Sequence, residues 1–489
     1  MQRITAILLA FLLLLSVFSY AGCAEQKSGV ETTAAATIAE RAAETNVTDM
    51  PDIPDNLPEM DFEGYGFRML IETKEIATYN PEGMDGEIVN DATYKRNSDI
   101  AERFNIKFVT VDAGGDLNTL NTLANKTILA GTDDFDLAFE HVIYGPNSTL
   151  EGLYMDLYSL EYLDFNQPWW PKETINELTL NGKMFLGSGG IAPTSLLGSK
   201  VIVANRDALQ DRNTDVPYQS VLDGIWTMDM LISMTKDVYD DLNGNGEQDF
   251  EDFYGYTTQP HQNGFIVGCD ISVLKKTEDG GLEIDAYSEK MVSLVEMLYD
   301  WYFESESVYI TSTDRTNPEY FVNIFDLGHA LFAFSQIHNI VDIYRYGEIN
   351  YGIIPLPKYD EVQDTYRTFA HETFFCVPVT TTDTDRTSVI IEAMSAEGYK
   401  QITPAFYEIV LKEKLAGDSE TVQMLEIIND NRAISFAYIY DNWEGFGHLF
   451  SAIFTWTGNN KRDYTSYYET RLNSATKRID KIIACFADE

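Results

Sequence analysis

The sequence predicts an α/β fold, because short apolar strands and amphipathic helices alternate along the chain. Residues 67–72, 106–111 and 135–139 are apolar and strand-like, whereas residues 91–104 and 117–129 repeat apolar side chains at helical spacing. Such alternation indicates parallel β-α-β units. With 489 residues, of which 44% are hydrophobic, the chain has room for two or three domains with large cores.

The same two patterns continue toward the C-terminus. A buried strand is predicted at 201–204, and a helix capped by Thr227 begins just after Trp226. Further strands are predicted at 182–187, leading into a Gly-rich loop, at 330–334 and at 351–358, and further helices at 288–301, 386–397, 408–415 and 419–428.

The balance of charge is strongly acidic. The chain has 34 Lys plus Arg against 78 Asp plus Glu, a net charge of -44. A surface of this sign repels phosphate backbones and anionic lipid headgroups. The composition therefore argues against nucleic-acid binding and against electrostatic adsorption to membranes.

The N-terminus has the pattern of a bacterial lipoprotein signal. Arg3 precedes an apolar stretch too short to span a membrane comfortably, and small residues then precede Cys23. We therefore predict a signal peptide at 1–22, with Cys23 lipidated by a diacylglycerol and palmitate-type acyl chains. Residues 23–60, rich in Ala, Thr, Glu and Pro, are predicted to be a flexible tether. The alternative is an ordinary secretory signal with an incidental cysteine.

The other cysteines are Cys269, Cys376 and Cys485. Three thiols cannot all pair within one chain. One disulfide plus one free thiol, or three free buried thiols, are both compatible with the sequence.

An acidic and glycine-rich loop follows the helix that begins near Trp226. Its oxygen-bearing residues fall at positions 1, 3, 5, 7, 9 and 12 of an EF-hand-type loop, with Gly246 at position 6. Calcium prefers oxygen ligands at such spacing, so we predict a structural calcium site; the alternative is an Asn/Gly/Asp-rich turn. Its ligands would be Asp241, Asn243, Asn245, Glu247 (through its carbonyl), Asp249 and Asp252.

Several short motifs resemble, in their order, those of family 1 extracellular solute-binding proteins, which are lipoprotein receptors of bacterial ABC importers. They cover nearly all of the chain beyond the signal. They are the lipobox cysteine, Gly-Lys-aromatic at 182–185, Asn-Arg-Asp at 205–207, Trp-Thr-x-x-x-Leu at 226–231, the loop and Tyr-Gly at 241–255, Gly-x-Ala-Leu at 328–331, and Tyr-Gly-Ile-x-Pro-Leu-Pro at 351–357.

The resemblance implies a bilobed Venus-flytrap fold with two discontinuous α/β lobes joined by a hinge. Lobe one would take residues 60–197 and 351–410, and lobe two residues 198–350 and 411–489. The protein would be lipid-anchored on the extracellular face of the bacterial membrane. It would deliver a solute to ABC permease subunits without changing it chemically.

Enzyme motifs are not found in the sequence. It contains no Gly-x-Ser-x-Gly, no His-Glu-x-x-His, no phosphate-binding loop and no dinucleotide fingerprint. Paired carboxylates of a glycoside hydrolase are not recognisable in sequence. An extracellular carbohydrate-active enzyme and a glycan-binding or sensing lipoprotein without a transport role therefore stay as alternatives.

Loops that follow predicted strands, together with three tryptophans, are the candidates for ligand contact. They combine flat aromatic rings with amide and imidazole groups, which suit the apolar face and hydroxyl rim of a sugar, and they contain no Lys or Arg cluster. We therefore expect a neutral sugar or oligosaccharide; the alternatives are peptides and other small polar solutes. The candidates are His141, Tyr144, Asn147, Trp169, Trp170, Ser188, Gln259, His261, Gln262, Gln336, His371 and Trp443.

Overall fold

The computed structural model of the protein describes residues 53–191, 194–311, 317, 319–370, 373–412, 419–455 and 460–487. The predicted signal peptide, Cys23 and most of the tether lie outside these residues. No helix within the described ranges is both long and apolar enough to span a bilayer. The strands are β1 Tyr65–Ile71, β2 Ile106–Asp112, β3 Leu137–His141, β4 Lys200–Asn205, β5 Tyr239–Asp240, β6 Phe253–Thr258, β7 Leu274–Lys276, β8 Leu282–Ile284, β9 Val308–Ile310, β10 Ala330–Gln336, β11 Tyr351–Pro355, β12 Thr368–Phe369, β13 Thr373–Cys376 and β14 Arg432–Ala433.

The α-helices surround these strands, with single turns of 3-10 or π-helix at 73–75, 157–159, 340–344 and 437–441. The α-helices are α1 Ile76–Tyr79, α2 Ile88–Phe104, α3 Leu117–Leu129, α4 Gly145–Leu150, α5 Lys172–Leu178, α6 Thr194–Leu197, α7 Arg206–Asp211, α8 Tyr218–Leu222, α9 Met228–Thr235, α10 Gly264–Gly268, α11 Glu289–Phe303, α12 Phe321–Asp326, α13 Ile337–Asn339, α14 Thr384–Lys412, α15 Ser419–Asp430, α16 Leu449–Ile453 and α17 Tyr464–Phe486.

The first sheet has the order β13-β3-β1-β2. Strands β1 and β2 are parallel, as are β1 and β3, and the crossovers α2 and α3 confirm the predicted β-α-β units. The late strand β13 joins β3 antiparallel. Strand β3 is buried along most of its length, whereas the edge strand β2 alternates buried and exposed residues, as expected for a strand with one solvated face.

The second sheet has the order β11-β4-β10-β6-β5, with β9 also paired to β6. Strands β6, β9 and β10 are parallel, so their carboxyl ends lie at one edge of the sheet. Strand β4 is antiparallel to both of its neighbours, β10 and β11. Because β4 begins at the edge where β10 ends, Lys200 lies opposite Gln336 in the register.

Two α/β lobes are built on these sheets, which confirms the predicted bilobed fold class. The chain passes between them around Ser199, which forms a β-bridge with Ala370, and beside the small β12–β14 sheet. The C-terminal helix α17 packs on both lobes. Its residue Ala475 lies in the core of the second lobe, whereas Ile482 and Phe486 lie in that of the first.

Helix starts were readable from the sequence because polar side chains satisfy the first free N–H groups. The predicted cap Thr227 accepts a hydrogen bond from the backbone N–H of Met230 at 3.3 Å. Asp116 and Ser288 do the same for α3 and α11.

Three sequence expectations differ from the structure in their boundaries. Strand β11 pairs with β4 in the second sheet, although the expected division gave 351–410 to lobe one. Part of α17 belongs to the core of lobe one rather than lobe two. Helix α14 runs unbroken from Thr384 to Lys412 through Pro404, where two helices were expected. These boundaries depend on backbone pairing and packing between segments that are distant in sequence. A local sequence pattern contains no information on such contacts.

Residues 182–187, which the sequence predicted to be a strand leading into a Gly-rich loop, do not form a strand. Gly187 pairs through its backbone with Phe375, and a Cβ there would come within 2.1 Å of the Phe375 ring. A Cβ at Gly189 would meet the Trp170 ring at 2.5 Å. These glycines therefore permit close packing inside lobe one.

Each of the three described cysteines is a free thiol, and two of them are buried. The sequence had left one disulfide open as an alternative, and the structure decides for free thiols at these positions.

Candidate functional site

A cavity of about 610 Å³ lies between the two lobes. Lobe one contributes the carboxyl end of β3 and the start of α2, and lobe two contributes the end of β10 and the turn after it. Among its lining residues are Glu72, Lys74, Glu75, Asp85, Glu87, Asn90, His141, Gln336, His338, Asp342, Arg345 and Tyr346. A gap between the strand ends of two α/β lobes is where such folds place ligands.

The lining of this cavity is mainly acidic. Five carboxylates, those of Glu72, Glu75, Asp85, Glu87 and Asp342, face two cations, Lys74 and Arg345. The two lobes are joined across it by a salt bridge of 2.9 Å between the Arg345 Nη2 and the Glu87 Oε2. An excess of carboxylates disfavours anionic solutes and offers acceptors to hydroxyl groups.

His141 and Gln336, two of the predicted contacts, lie on opposite walls of the cavity. The Nζ of Lys200 donates a hydrogen bond to the Oε1 of Gln336 at 2.5 Å. Burial is the main cause of the lowered pKa of His141, and the positive charge of Lys200 lowers that pKa further. The three side chains therefore share one polar region where the first lobe faces the second.

Three imidazoles in this region are uncharged at neutral pH. Burial lowers the pKa of His141 to about 3 and that of His448 to about 4, and it lowers the pKa of His261 in the same direction. The charge of His448 would lower the pKa of His141, and that of His261 would lower the pKa of His448, so the rings are electrostatic neighbours. The Nδ1 of His141 accepts a hydrogen bond from the backbone N–H of Ile143 at 3.3 Å, and the Nε2 of His448 donates to the carbonyl oxygen of Tyr438 at 3.0 Å, so both rings are held by contacts within the protein.

Trp443 adds an exposed aromatic ring beside this histidine group. Its side chain is 45% exposed, and its ring centroid lies 4.7 Å from that of His448. The preceding Asn442 donates from its Nδ2 to the carbonyl oxygen of Ile143 at 3.0 Å, next to the half-buried Tyr144. Trp443 and Tyr144 are therefore held on segments that contact each other through the hydrogen bond of Asn442.

Asn147 is already engaged. Its Oδ1 accepts a hydrogen bond of 2.8 Å from the Nη2 of Arg478 on α17. Gln259 and His261 are half-buried after β6, whereas Ser188 and Gln262 are buried at 3% and 9% exposure. His371 lies outside the described residues.

The expectation that Trp169 and Trp170 present their rings to a ligand is wrong for this structure. They are 1% and 2% exposed, in the core of lobe one. Their indole N–H groups donate to the two carboxylate oxygens of Glu392, at 2.8 and 3.0 Å. Both the apolar faces and the polar edges of these rings are thus used within the protein.

The loop predicted to bind calcium is held together by hydrogen bonds between its own residues. Asp241 accepts hydrogen bonds from the backbone N–H groups of Gly244 at 2.6 Å and Gly246 at 2.9 Å, and both glycines have positive φ. The amide nitrogens of Asn243 and Asn245 contact the Oδ2 of Asp249 at 3.0 and 2.7 Å.

The hard oxygen donors of this loop suit calcium in kind. In the conformation described, however, the Asn amides would have to turn their oxygens inward. Asp252 is buried and accepts from the backbone N–H of Leu242 and from the Tyr239 hydroxyl. Within the described ranges, no group of three or more His, Cys, Asp or Glu side chains is arranged to hold a metal ion.

Sequence reasoning missed three residues of the site. Lys200, His448 and Tyr346 were not among the candidate contacts, although the side chain of Tyr346 is 68% exposed at the cavity. For Lys200 a signal existed, because a lone cation beginning an apolar strand points to a strand end. For the other two the sequence gives no local signal.

Comparison with known proteins supports the fold. No family model and no curated relative matches the sequence. Solved structures similar to this chain include a cyclo/maltodextrin-binding protein complexed with maltotetraose, at 15% identity and a TM-score of 0.55, covering 86% of this chain and 99% of that one. UgpB from Mycobacterium tuberculosis, in complex with glycerophosphocholine, matches at 13% identity and a TM-score of 0.57, with 86% and 100% covered.

A third similar structure is an ABC substrate-binding protein from Listeria monocytogenes in complex with cycloalternan, at 13% identity and a TM-score of 0.54, with 86% and 99% covered. The chain therefore has the bilobed fold of ABC-transporter solute-binding proteins over most of its length. At this level of identity the likeness extends to the fold alone.

Proposed function

We propose that the protein is the solute-binding component of an ABC importer and captures an extracellular sugar or oligosaccharide between its lobes. The observation that carries the proposal is the interlobe cavity, with His141 at the end of β3 on one wall and Gln336 at the end of β10 on the other. Lobe closure would shield the hydrogen bonds between protein and ligand from water, so that each contributes fully to affinity. The ligand would leave chemically unchanged.

A carbohydrate suits this cavity better than an anionic solute does. Carboxylates and amides match hydroxyl groups, Tyr346 offers an exposed ring at the cavity for a sugar face, and Trp443 offers a second exposed ring beside His448. Similar structures were solved with maltotetraose, cycloalternan and α-D-tagatose, which are carbohydrates. These ligands support the proposed class and leave the particular sugar open.

The test is a thermal-shift screen of the soluble domain against panels of glycans and peptides, followed by titration calorimetry. A ligand at 100 times its dissociation constant should stabilise the protein by about 2.7 kcal/mol. Gln336→Ala should weaken binding about tenfold by removing one buried hydrogen bond. Gln219→Ala, an exposed amide on α8, is the matched control. Turnover of a bound glycan, or binding of peptides alone, would contradict the proposal.

Membrane anchoring through Cys23 is part of the same proposal, because an importer's binding component must stay near its permease. Mass spectrometry of the native protein should find a diacylglycerol-modified Cys23 as the N-terminus. An unmodified N-terminus beyond residue 23 would reject the anchor and leave the binding function untouched.

We also propose that calcium occupies the loop at 241–252 in solution and stabilises it. Chelation should then lower the melting temperature, and Asp241→Ala should abolish that sensitivity. At calcium 100 times above its dissociation constant the stabilisation is about 2.7 kcal/mol. Identical melting curves with calcium and with chelator would show that the loop is an Asn/Gly/Asp-rich turn closed by its own hydrogen bonds.

A further inference from the structure

A groove of about 380 Å³ beside α17 differs in charge from the rest of this acidic protein. Four cations line it, against the single carboxylate of Glu444. Because the chain has 78 acidic and only 34 basic residues, a groove lined mainly by cations is unexpected. The lining residues are Trp443, Glu444, Arg471, Ser474, Lys477, Arg478 and Lys481.

The two exposed lysines of the groove have no carboxylate partner among the described residues, unlike several other cations of the molecule. Arg212 and Arg462, for example, each contact an aspartate at 2.8 Å. Lys477 and Lys481 form no ion pair with any carboxylate in the described part of the chain, and both side chains are exposed. Their positive charge is therefore available to a ligand.

Arg478 at the base of the groove is a buried cation with mostly neutral partners. Its side chain is 1% exposed and donates to the carbonyl oxygen of Tyr440 at 2.7 Å and to the Oδ1 of Asn147 at 2.8 Å. The nearest carboxylate oxygen, on Glu444, is 3.5 Å away and belongs to an exposed side chain. Burial lowers the pKa of Arg478, and the carboxylates of Glu444 and Asp441 oppose that shift without cancelling it.

The groove adjoins the candidate site through Trp443. The ring of Trp443 lines the groove and also packs against His448, while Asn442 binds the backbone beside Tyr144. Asn147, which Arg478 contacts, lies on the helix that follows Tyr144. A ligand that stacks on Trp443 can therefore reach the groove with a substituent.

We propose that this groove binds the anionic group, carboxylate or sulfate, of an acidic oligosaccharide whose adjoining sugar ring stacks on Trp443. The inference rests on the proposed carbohydrate-binding function and replaces the expectation of a wholly neutral ligand. Lys477 and Lys481 would supply point charges, and Arg471 a planar fork for two acceptor oxygens.

The experiment compares acidic oligosaccharides with neutral counterparts of the same linkage. The probes are linear oligomers of galacturonate, glucuronate and sulfated galactose, each beside its carboxyl-reduced or unsulfated form, titrated by calorimetry into the whole soluble domain. At least one acidic member should bind about tenfold or more tightly than its neutral counterpart, as expected for hydrogen bonds to charged groups. Added salt should reduce that preference.

Two double variants separate the groove from general charge. Lys477→Gln with Lys481→Gln should remove the preference for the acidic member while leaving binding of the neutral counterpart and the unfolding midpoint unchanged. Lys107→Gln with Lys275→Gln, which makes the same change in net charge at two exposed lysines on β2 and β7, should keep the preference. Equal effects of the two double variants would overturn the proposal.

The remaining outcomes distinguish this inference from the function on which it rests. If neutral members bind at least as tightly as every acidic one, the anionic subsite is rejected and carbohydrate binding stands. If no member of either set binds but another glycan of the screening panel does, the anionic subsite is rejected and carbohydrate binding stands; if no glycan of any panel binds, both proposals fail.

Discussion

Trp169 and Trp170 differ from Trp443 in their exposure to solvent and in the partners of their rings. The first two are almost fully buried in lobe one, and both indole N–H groups end on Glu392. Trp443 is 45% exposed, with its ring against His448. The adjacent pair is satisfied within the protein, whereas Trp443 leaves much of its surface open to a ligand.

The difference shows how one carboxylate inside the fold satisfies the indole N–H groups of two adjacent buried tryptophans. Glu392 lies 222 residues beyond Trp170 in sequence, on helix α14. It supplies one carboxylate oxygen to each indole. Without such an acceptor, burial of an indole N–H carries a desolvation penalty of about 1–3 kcal/mol. The changes below test this contrast, from the largest expected effect to the smallest.

Trp169→Ala should destabilise the protein by about 3–5 kcal/mol, because it empties a large buried volume and leaves one oxygen of Glu392 without its donor. Urea unfolding of the soluble domain measures the change. Trp443→Ala is the matched control and should shift the free energy of unfolding by less than about 1 kcal/mol. Similar losses in the two variants would contradict the contrast between buried and exposed rings.

Glu392 should make stability depend on pH between about 4.5 and 7. Burial raises the pKa of its carboxyl to about 7, so over that range the folded state holds a proton that the unfolded state has released. Stability from this group is complete below pH 4.5 and is lost as the pH rises to 7, by about 3 kcal/mol at 1.4 kcal/mol per pKa unit.

Glu392→Gln should remove that contribution from the slope of the unfolding free energy against pH. The difference between the two slopes isolates this residue, because buried Glu140, whose pKa is also about 7, contributes equally in both proteins. Urea unfolding at pH 5 and pH 7.5 provides the measurement. Parallel slopes would mean that Glu392 keeps an ordinary pKa in the folded protein.

Trp443→Ala should weaken binding of a confirmed carbohydrate ligand by about 1–3 kcal/mol, as the loss of an aromatic anchor does. Trp443→Phe, which keeps a ring, should recover part of that loss. Calorimetric titration of both variants and of Tyr144→Ala gives the comparison. Unchanged affinity in all three would remove Trp443 and Tyr144 from the site, and their exposure would then need another explanation.

Local patterns were sufficient for much of the fold. The spacing of apolar residues predicted β1, α2, β2 and α3 within two or three residues at each end, and the Thr227 cap was correct. These features depend on neighbours within a few positions in the chain, so the sequence carries them directly. The bilobed class followed from the order of several motifs, each weak alone. Lipidation of Cys23 remains a prediction.

Only the tertiary structure decided which side chains meet. It carried β11 into the second sheet, buried Trp169 and Trp170 on Glu392, and brought Lys200 to Gln336. It also set the cations of α17 beside Trp443, where the loops in sequence had shown no cluster of positive charge. The physical reason is that hydrogen bonding and burial are satisfied by whichever residues the packing brings near, whatever their separation along the chain.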